Sequence, residues 1–157
     1  GIPGAAKAGH WAAEVAGEAI AAGDVSEDAL WEYNHRVLTD FGKRFAAMDL
    51  YNIFGTTLSV DDIADVISAL PAQQLIDILG RSGTSSMGWG LKLKTMIQTF
   101  GHWGTLFELK KLNDIATELK SVYDDYPTTS DGLEAWRSRR AEVMDDVYEL
   151  CGADPKY

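Results

Sequence analysis

The chain begins Gly1-Ile2-Pro3-Gly4-Ala5-Ala6-Lys7, a glycine-punctuated turn that runs into a stretch rich in helix formers. Glycine lets a backbone pass close to a ligand, and the first N–H groups of a helix have no partner within it, so such a start can meet negative charge. Proline suits the place because it brings no N–H to leave unpaired. In an isolated chain the same donors could instead be capped by water. His10 and Glu14 stand four apart, as do Lys7 and Trp11, so each pair shares a helix face. One imidazole and one carboxylate do not make a zinc centre, and His10 reads as a packing or hydrogen-bonding residue. His35, between Asn34 and Arg36, reads as lying on an exposed flank, while His102 sits beside Trp103 between Gly101 and Gly104. Neither has a partner in the sequence that would make it a general acid. Cys151 reads as a small late-helix residue, since no Cys/His arrangement accompanies it. Asp61, Asp62 and Asp65 lack the ligand alternation and glycine of a calcium loop and read as a solvated helix start, so no metal site is expected.

These residues need helices to hold them. Residues 4–20 favour helix, although Gly9 and Gly17 each weaken it by about 1 kcal/mol. Positions 5, 9, 12 and 16 share one face and positions 4, 8, 12 and 13 lie beside it, all of them Gly or Ala. A helix so lined can approach a neighbour closely but has little side chain with which to drive its own folding. It should end near Ala22 at Gly23, with Asp24 or Ser26 capping the next helix. That helix is expected to reach about Asn52 on a stripe of Leu30, Tyr33, Val37, Phe41, Phe45 and Met48, with Gly42 permitting a bend or close crossing. Residues 53–59 read as a turn, with Thr57 or Ser59 capping a helix through Ile63, Val66, Ile67 and Leu70. Pro71 starts a short helix, residues 81–90 form a glycine- and serine-rich loop, and a helix is expected near 88–100. Leu106, Leu109, Leu112, Ile115, Leu119 and Val122 mark a helix over 105–123, residues 125–132 a surface turn, and residues 132–150 a last helix. Leu133, Trp136, the stem of Arg140, Val143, Met144, Val147 and Leu150 should be buried in that last helix. The expected fold class is all-α, an irregular helical bundle.

A formal charge of −10, from 24 acidic against 14 basic residues, sets a repulsive field against nucleic acid and is compatible with a salt-loving source. A single cysteine excludes an internal disulfide and fits a reducing, cytoplasmic setting. No apolar run reaches the roughly 18 residues of a spanning helix. Peripheral membrane contact and self-association stay open. Trp31, Trp89, Trp103, Trp136, Phe100 and Phe107 offer large apolar contact areas, as core fillers or as a lining.

Residues 1–9, followed by Ala13-Glu14, Ala19-Ile20, Gly23-Asp24, Leu30 and Tyr33, resemble the last flavin-contacting segment of the geranylgeranyl reductase group of FAD-dependent, monooxygenase-like oxidoreductases. The match is fairly specific over residues 1–50 and diffuse afterwards. It departs from the family pattern at His10-Trp11. The resemblance implies that Gly1, Ile2, Pro3 and Gly4 approach the flavin, and that residues 1–24 are the end of an FAD domain with residues 25–157 a helical domain behind it. It also implies a C-terminal portion of a larger α/β FAD-binding fold, whose missing N-terminal portion is a partner of this one. The reaction implied is reduction of isoprenoid C=C bonds in a prenyl lipid by reduced FAD, with the aromatic residues as a possible prenyl channel and residues 83–89 as a lid or membrane contact. Catalytic residues would lie upstream of Gly1, so none is assigned here; the portion alone is expected to be inactive and to retain no FAD. Two other readings stay open: a related flavoprotein passing electrons to a quinone, which a lone cysteine disfavours for want of iron–sulfur ligands, and a non-catalytic helical interaction domain. An exposed small-residue face on the first helix would favour the portion of a larger enzyme, and a fully buried one an independent domain.

Overall fold

A computed structural model describes residues 2–61, 64 and 103–154. Among these residues every regular element is helical, in agreement with the all-α expectation. Helix α1 spans Ile2–Ala22, α2 Glu27–Val37, a π-helical turn Leu38–Gly42, α3 Lys43–Thr57, α4 Trp103–Asp124, a 3-10 turn Ser130–Gly132, and α5 Leu133–Cys151. The chain divides into two compact units, Gly1–Ala46 with Glu118–Met144, and Ala47–Thr117 with Asp145–Tyr157.

In the first unit, α1 packs against α2, and α2 against the π and 3-10 turns. Helix α1 stops where expected. Gly23 takes φ +70°, its N–H donates to the Ile20 carbonyl, and the Asp24 N–H donates to the Ala19 carbonyl at 3.0 Å. These two bonds satisfy carbonyls that the helix end would otherwise leave open. Ser26 then caps α2, its Oγ accepting from the Ala29 N–H at 3.3 Å, while Asp24 Oδ1 accepts from the Ser26 N–H at 3.0 Å. Both capping expectations hold, and Glu27 and Asp28 sit in the first turn, where the helix dipole favours them.

The core of this unit is aromatic. Trp31 stacks on Tyr126 with centroids 5.9 Å apart. Tyr126 meets Trp136 edge-on at 4.9 Å, and Trp136 meets Tyr123 edge-on at 5.2 Å. Burial of an indole N–H requires an acceptor. Trp31 Nε1 donates to the Pro127 carbonyl and Trp136 Nε1 to the Val122 carbonyl, each at 2.8 Å. Asp28 Oδ1 accepts from the N–H and hydroxyl of Ser130, tying the 125–132 turn to the start of α2. Trp31 is thus a core side chain, and Trp136, half-buried, packs beside Tyr123 and Tyr126.

Helix α2 does not continue as one regular helix. The π turn holds one residue more than an α turn would, which rotates the downstream helix by about 100°. The expected stripe is lost after it: Phe45 is 65% and Met48 42% exposed, and Ala46 is buried. Thr39 donates its hydroxyl to the His35 carbonyl at 2.7 Å across the widened turn. His35, placed by its sequence neighbours on an exposed flank, is instead half-buried, four residues along the helix from Trp31, with its ring 6.3 Å from Tyr126.

In the second unit α3 runs five residues past the expected end at Asn52. Phe54 is buried, and Thr56 and Thr57 donate their hydroxyls to the Ile53 and Phe54 carbonyls at 2.7 Å. The turn expected over 53–59 is confined to its last residues, and Thr57 closes α3 rather than capping the next helix. Leu50, Leu112, Ala116 and Val147 are buried there, as is Ala47. Helix α5 ends at Gly152, φ +56°, with the Ala153 N–H donating to the Tyr148 carbonyl at 3.0 Å. Leu112, Leu119, Val122, Val143, Met144 and Val147 are buried as their spacing requires, whereas Ile115, Leu133, Trp136 and Leu150 are only half-buried, and the side chains of Leu106 and Leu109 lie outside the described residues. Apart from residues 60, 61 and 64, which are helical, the elements expected between 61 and 100 lie outside the described residues. Trp89, Phe100 and His102, and the side chain of Trp103, also lie outside them.

Candidate functional site

The turn singled out by sequence is the first turn of α1. Gly1 lies outside the described residues. Ile2 and Pro3 begin the helix, Ile2 being 86% exposed, and Pro3 occupies a first-turn position whose N–H would have no partner inside the helix. No acidic side chain stands in this turn. Gly4 is half-buried, and a Cβ built on it would lie 3.6 Å from Phe41 Cε1, an ordinary contact distance. The Phe41 ring edge therefore faces Gly4 at about the distance a side-chain methyl there would need.

That ring belongs to a compact cluster. Phe41 and Trp11 have centroids 5.5 Å apart. The Lys7 ammonium lies over Trp11 at 4.7 Å, fulfilling the expected Lys7–Trp11 pairing, and 5.7 Å from the Phe41 centroid. It is also paired with the Asp40 carboxylate. Arg44 Nη2 reaches Asp40 Oδ1 at 2.9 Å and its guanidinium lies 5.3 Å from the Phe41 centroid. The Lys7 hydrogen bond, helped by the Arg44 charge and opposed by burial, holds the Asp40 carboxyl below its ordinary value. Asp40 and Phe41 both come from the π turn. In the sequence Phe41 belongs only to a core stripe and nothing distinguishes Asp40; the one signal for the pair is Gly42, at the end of the turn.

Further along α1, His10 Nε2 and Glu14 Oε1 are 3.4 Å apart, and Glu14 Oε2 also pairs with Arg36 Nη1 at 3.1 Å. Arg36 in turn holds Glu32. His10 thus lies at the end of a surface chain of polar side chains. Among the described residues no group of three or more His, Cys, Asp or Glu is placed to hold a metal ion. Burial, and secondarily the charge of Glu108, raises the Cys151 thiol above its ordinary value, which disfavours the thiolate. Phe107 is exposed, with the Lys111 ammonium 4.9 Å from its centroid.

The small residues of α1 divide between two sides. Val15 and Ala19 are buried, with Gly4, Ala8, Trp11, Ala12 and Ala16 half-buried. Ala5, Gly9, Ala13 and Gly17 are exposed at four-residue intervals, and Ile20 is 70% exposed. Among the described residues, a Cβ placed on Gly9 or Gly17 would meet nothing within 4 Å. Of the two small-residue faces expected, that of positions 4, 8, 12 and 13 is half-buried except at Ala13, and that of positions 5, 9, 12 and 16 is exposed at Ala5 and Gly9 but half-buried at Ala12 and Ala16; the open stripe runs instead through Ala5, Gly9, Ala13 and Gly17. Among the described residues no helix is long and apolar enough to cross a membrane.

No family model matches the chain. A curated relative, the digeranylgeranylglycerophospholipid reductase of Sulfolobus acidocaldarius, is 26% identical over 138 residues, which are 87% of this chain and 30% of that protein. The chain is thus a distant relative of the geranylgeranyl reductase group, and it spans about 30% of the length of the relative it matches.

Proposed function

We propose that the chain is the helical portion of an FAD-dependent reductase that saturates isoprenoid C=C bonds of prenyl lipids. The distant relation to a reductase of such a lipid supports the reaction class. The observation that carries the reading is the outward face of α1, where Ala5, Gly9, Ala13 and Gly17 leave open space beside the backbone. Such a face admits another backbone closely, and the flavin-binding portion of the same enzyme is the partner assigned to it. In this reading residues 1–24 close the FAD domain, residues 25–157 form the helical domain, and the protein works in the cytoplasm at the edge of the membrane that holds its lipid.

The residues present fit a flavin at the start of α1. The first turn offers backbone donors and carries no competing carboxylate. Gly1, Ile2, Pro3 and Gly4 would hold the cofactor there. Bound flavin supplies the hydride chemistry. The chain's own residues orient the turn, present its N–H groups, and place a lysine one helical turn further on.

The test is purification of the protein expressed from its complete gene. The expected result is a flavin absorbance that bleaches on reduction and returns on addition of a geranylgeranyl lipid, the product gaining two hydrogens per reduced bond. A colourless protein with no affinity for FAD would overturn the proposal and favour a helical interaction domain, which would use the same open face of α1. Gly4→Ala refines the site assignment, since its Cβ makes only an ordinary contact with Phe41. A rise of about tenfold or more in the Kd for FAD, with stability unchanged, is expected if the cofactor approaches this backbone. Unchanged affinity would remove residues 1–4 from the site.

A further inference from the structure

The side chains that grip the amino-terminal half of α1 come from consecutive positions of the π turn. Phe41 packs on the indole of Trp11 and its ring edge faces Gly4, 3.6 Å from where a Cβ would stand. Asp40 holds Lys7, and is itself fixed from its own helix by Arg44. The next residue, Gly42, faces a different element: a Cβ there would lie 2.9 Å from Tyr123 Cε1, closer than real Cβ contacts allow. Successive residues of an α-helix are about 100° apart and seldom serve one neighbour together. The wider turn delivers Asp40 and Phe41 to α1 while Gly42 seats against the aromatic core.

We propose that Phe41 and Asp40 are positioning residues for the cofactor turn, holding Ile2, Pro3 and Gly4 at a fixed place through α1. This rests on the flavin reading proposed for the first turn of α1. Neither side chain need touch the cofactor; each acts on the helix that presents the donors. A first turn held in one place meets its ligand without the cost of ordering it on binding.

The test uses the protein expressed from its complete gene. Phe41→Leu removes the ring but keeps apolar volume, and Asp40→Asn removes the charge at a partly exposed position where misfolding is not expected. Phe45→Leu, on an exposed phenylalanine of the next turn, and Trp136→Phe, which loses the bond to the Val122 carbonyl within the core, serve as controls. Amide hydrogen exchange over residues 5–12 and the Kd of the apoprotein for FAD are the readouts. Phe41→Leu and Asp40→Asn should speed that exchange and raise the Kd by about tenfold. Phe45→Leu should change neither, and Trp136→Phe should lower the melting temperature without changing the Kd. Faster exchange with an unchanged Kd would overturn the positioning role, as would a Kd that follows melting temperature across all four variants. A wild-type protein that binds no FAD would overturn the flavin reading itself, and this inference with it.

Discussion

Gly4 and Gly42 look alike in the sequence, yet the structure gives them opposite tolerances. A Cβ on Gly4 finds ordinary contact, whereas one on Gly42 would press on Tyr123 and on Leu38 Cδ1, both at 2.9 Å. The Leu38 methyl can turn aside, but the Tyr123 ring is buried, lies edge-on to Trp136, and accepts at its hydroxyl from Arg140 Nε at 2.9 Å. Gly42→Ala should therefore cost about 1–3 kcal/mol in urea unfolding. A loss no larger than that of Gly4→Ala would contradict the close crossing. Asp40 is the titratable counterpart. Its carboxyl lies below the ordinary value of 3.8, chiefly through Lys7. A depressed carboxyl contributes stability above its unfolded value and loses it as pH falls through the folded one. Because the pair is partly exposed, the contribution is less than about 1 kcal/mol. Asp40→Asn should lower the melting temperature at pH 7 by up to about 3 °C, and the gap to wild type should narrow as pH falls below the ordinary carboxyl value of 3.8. A gap that persists undiminished in acid would assign the effect to packing instead.

At the scale of the element, the legible features were those with local chemistry. Gly23 and Gly152 ended helices because each is a glycine at positive φ beyond a helix end, and Ser26 capped α2 because its hydroxyl stands three residues before an unpaired N–H. The stripes of α4 and α5 were legible because nothing disturbs their period. The π turn was not, since one added residue leaves the period on each side intact and changes only the phase between them. The run from Leu30 to Met48 therefore fits a single helix with at most a bend at Gly42, a pattern that points Phe45 inward where the structure buries Ala46. The phase is fixed by what lies beyond. Straightening the helix with no residue removed would carry Asp49 into the place of fully buried Leu50, a cost no isolated carboxylate escapes. Of the proposed site, Pro3 and the Lys7–Trp11 and His10–Glu14 pairs could be read from spacing. The Asp40–Lys7 contact could not, because it joins residues 33 apart. Deleting Thr39 should turn the π turn into an α turn, keep Ala46 in place, and cost only about 1–2 kcal/mol. Deleting Thr117, exposed in the regular helix α4 between buried Leu112 and Leu119, should cost more than about 4 kcal/mol, since no slack absorbs the rotation. Equal thermal losses in the two deletions would refute the role given to the π turn.

For the whole molecule, the decisive contrast is between stability and assembly. Gly9 and Gly17 lie inside α1 with nothing near a Cβ among the described residues, so replacing each by Ala removes a helix-weakening residue at no steric cost among them. Gly9→Ala and Gly17→Ala should each stabilise the 157-residue chain by up to about 1 kcal/mol, or about 2–4 °C in melting temperature. In the protein expressed from its complete gene, the same changes should weaken the association that covers α1, read as loss of bound flavin or as faster exchange along its outward face. A gain in both settings would mean that the face stays open to water. The charge of −10 does not compete with this reading: the outward stripe of Ala5, Gly9, Ala13 and Gly17 carries no ionic side chain of its own.

The π turn also has a meaning in the comparison of lineages. A turn with one surplus residue is a length difference of one that the fold has absorbed without disturbing the helix on either side. A homologue whose corresponding helix is regular must then align to this chain with a single-position gap between residues 38 and 42, and must lack the adjacent pair that reaches α1. Such gaps, traced across relatives, would mark the branch on which α1 acquired its brace.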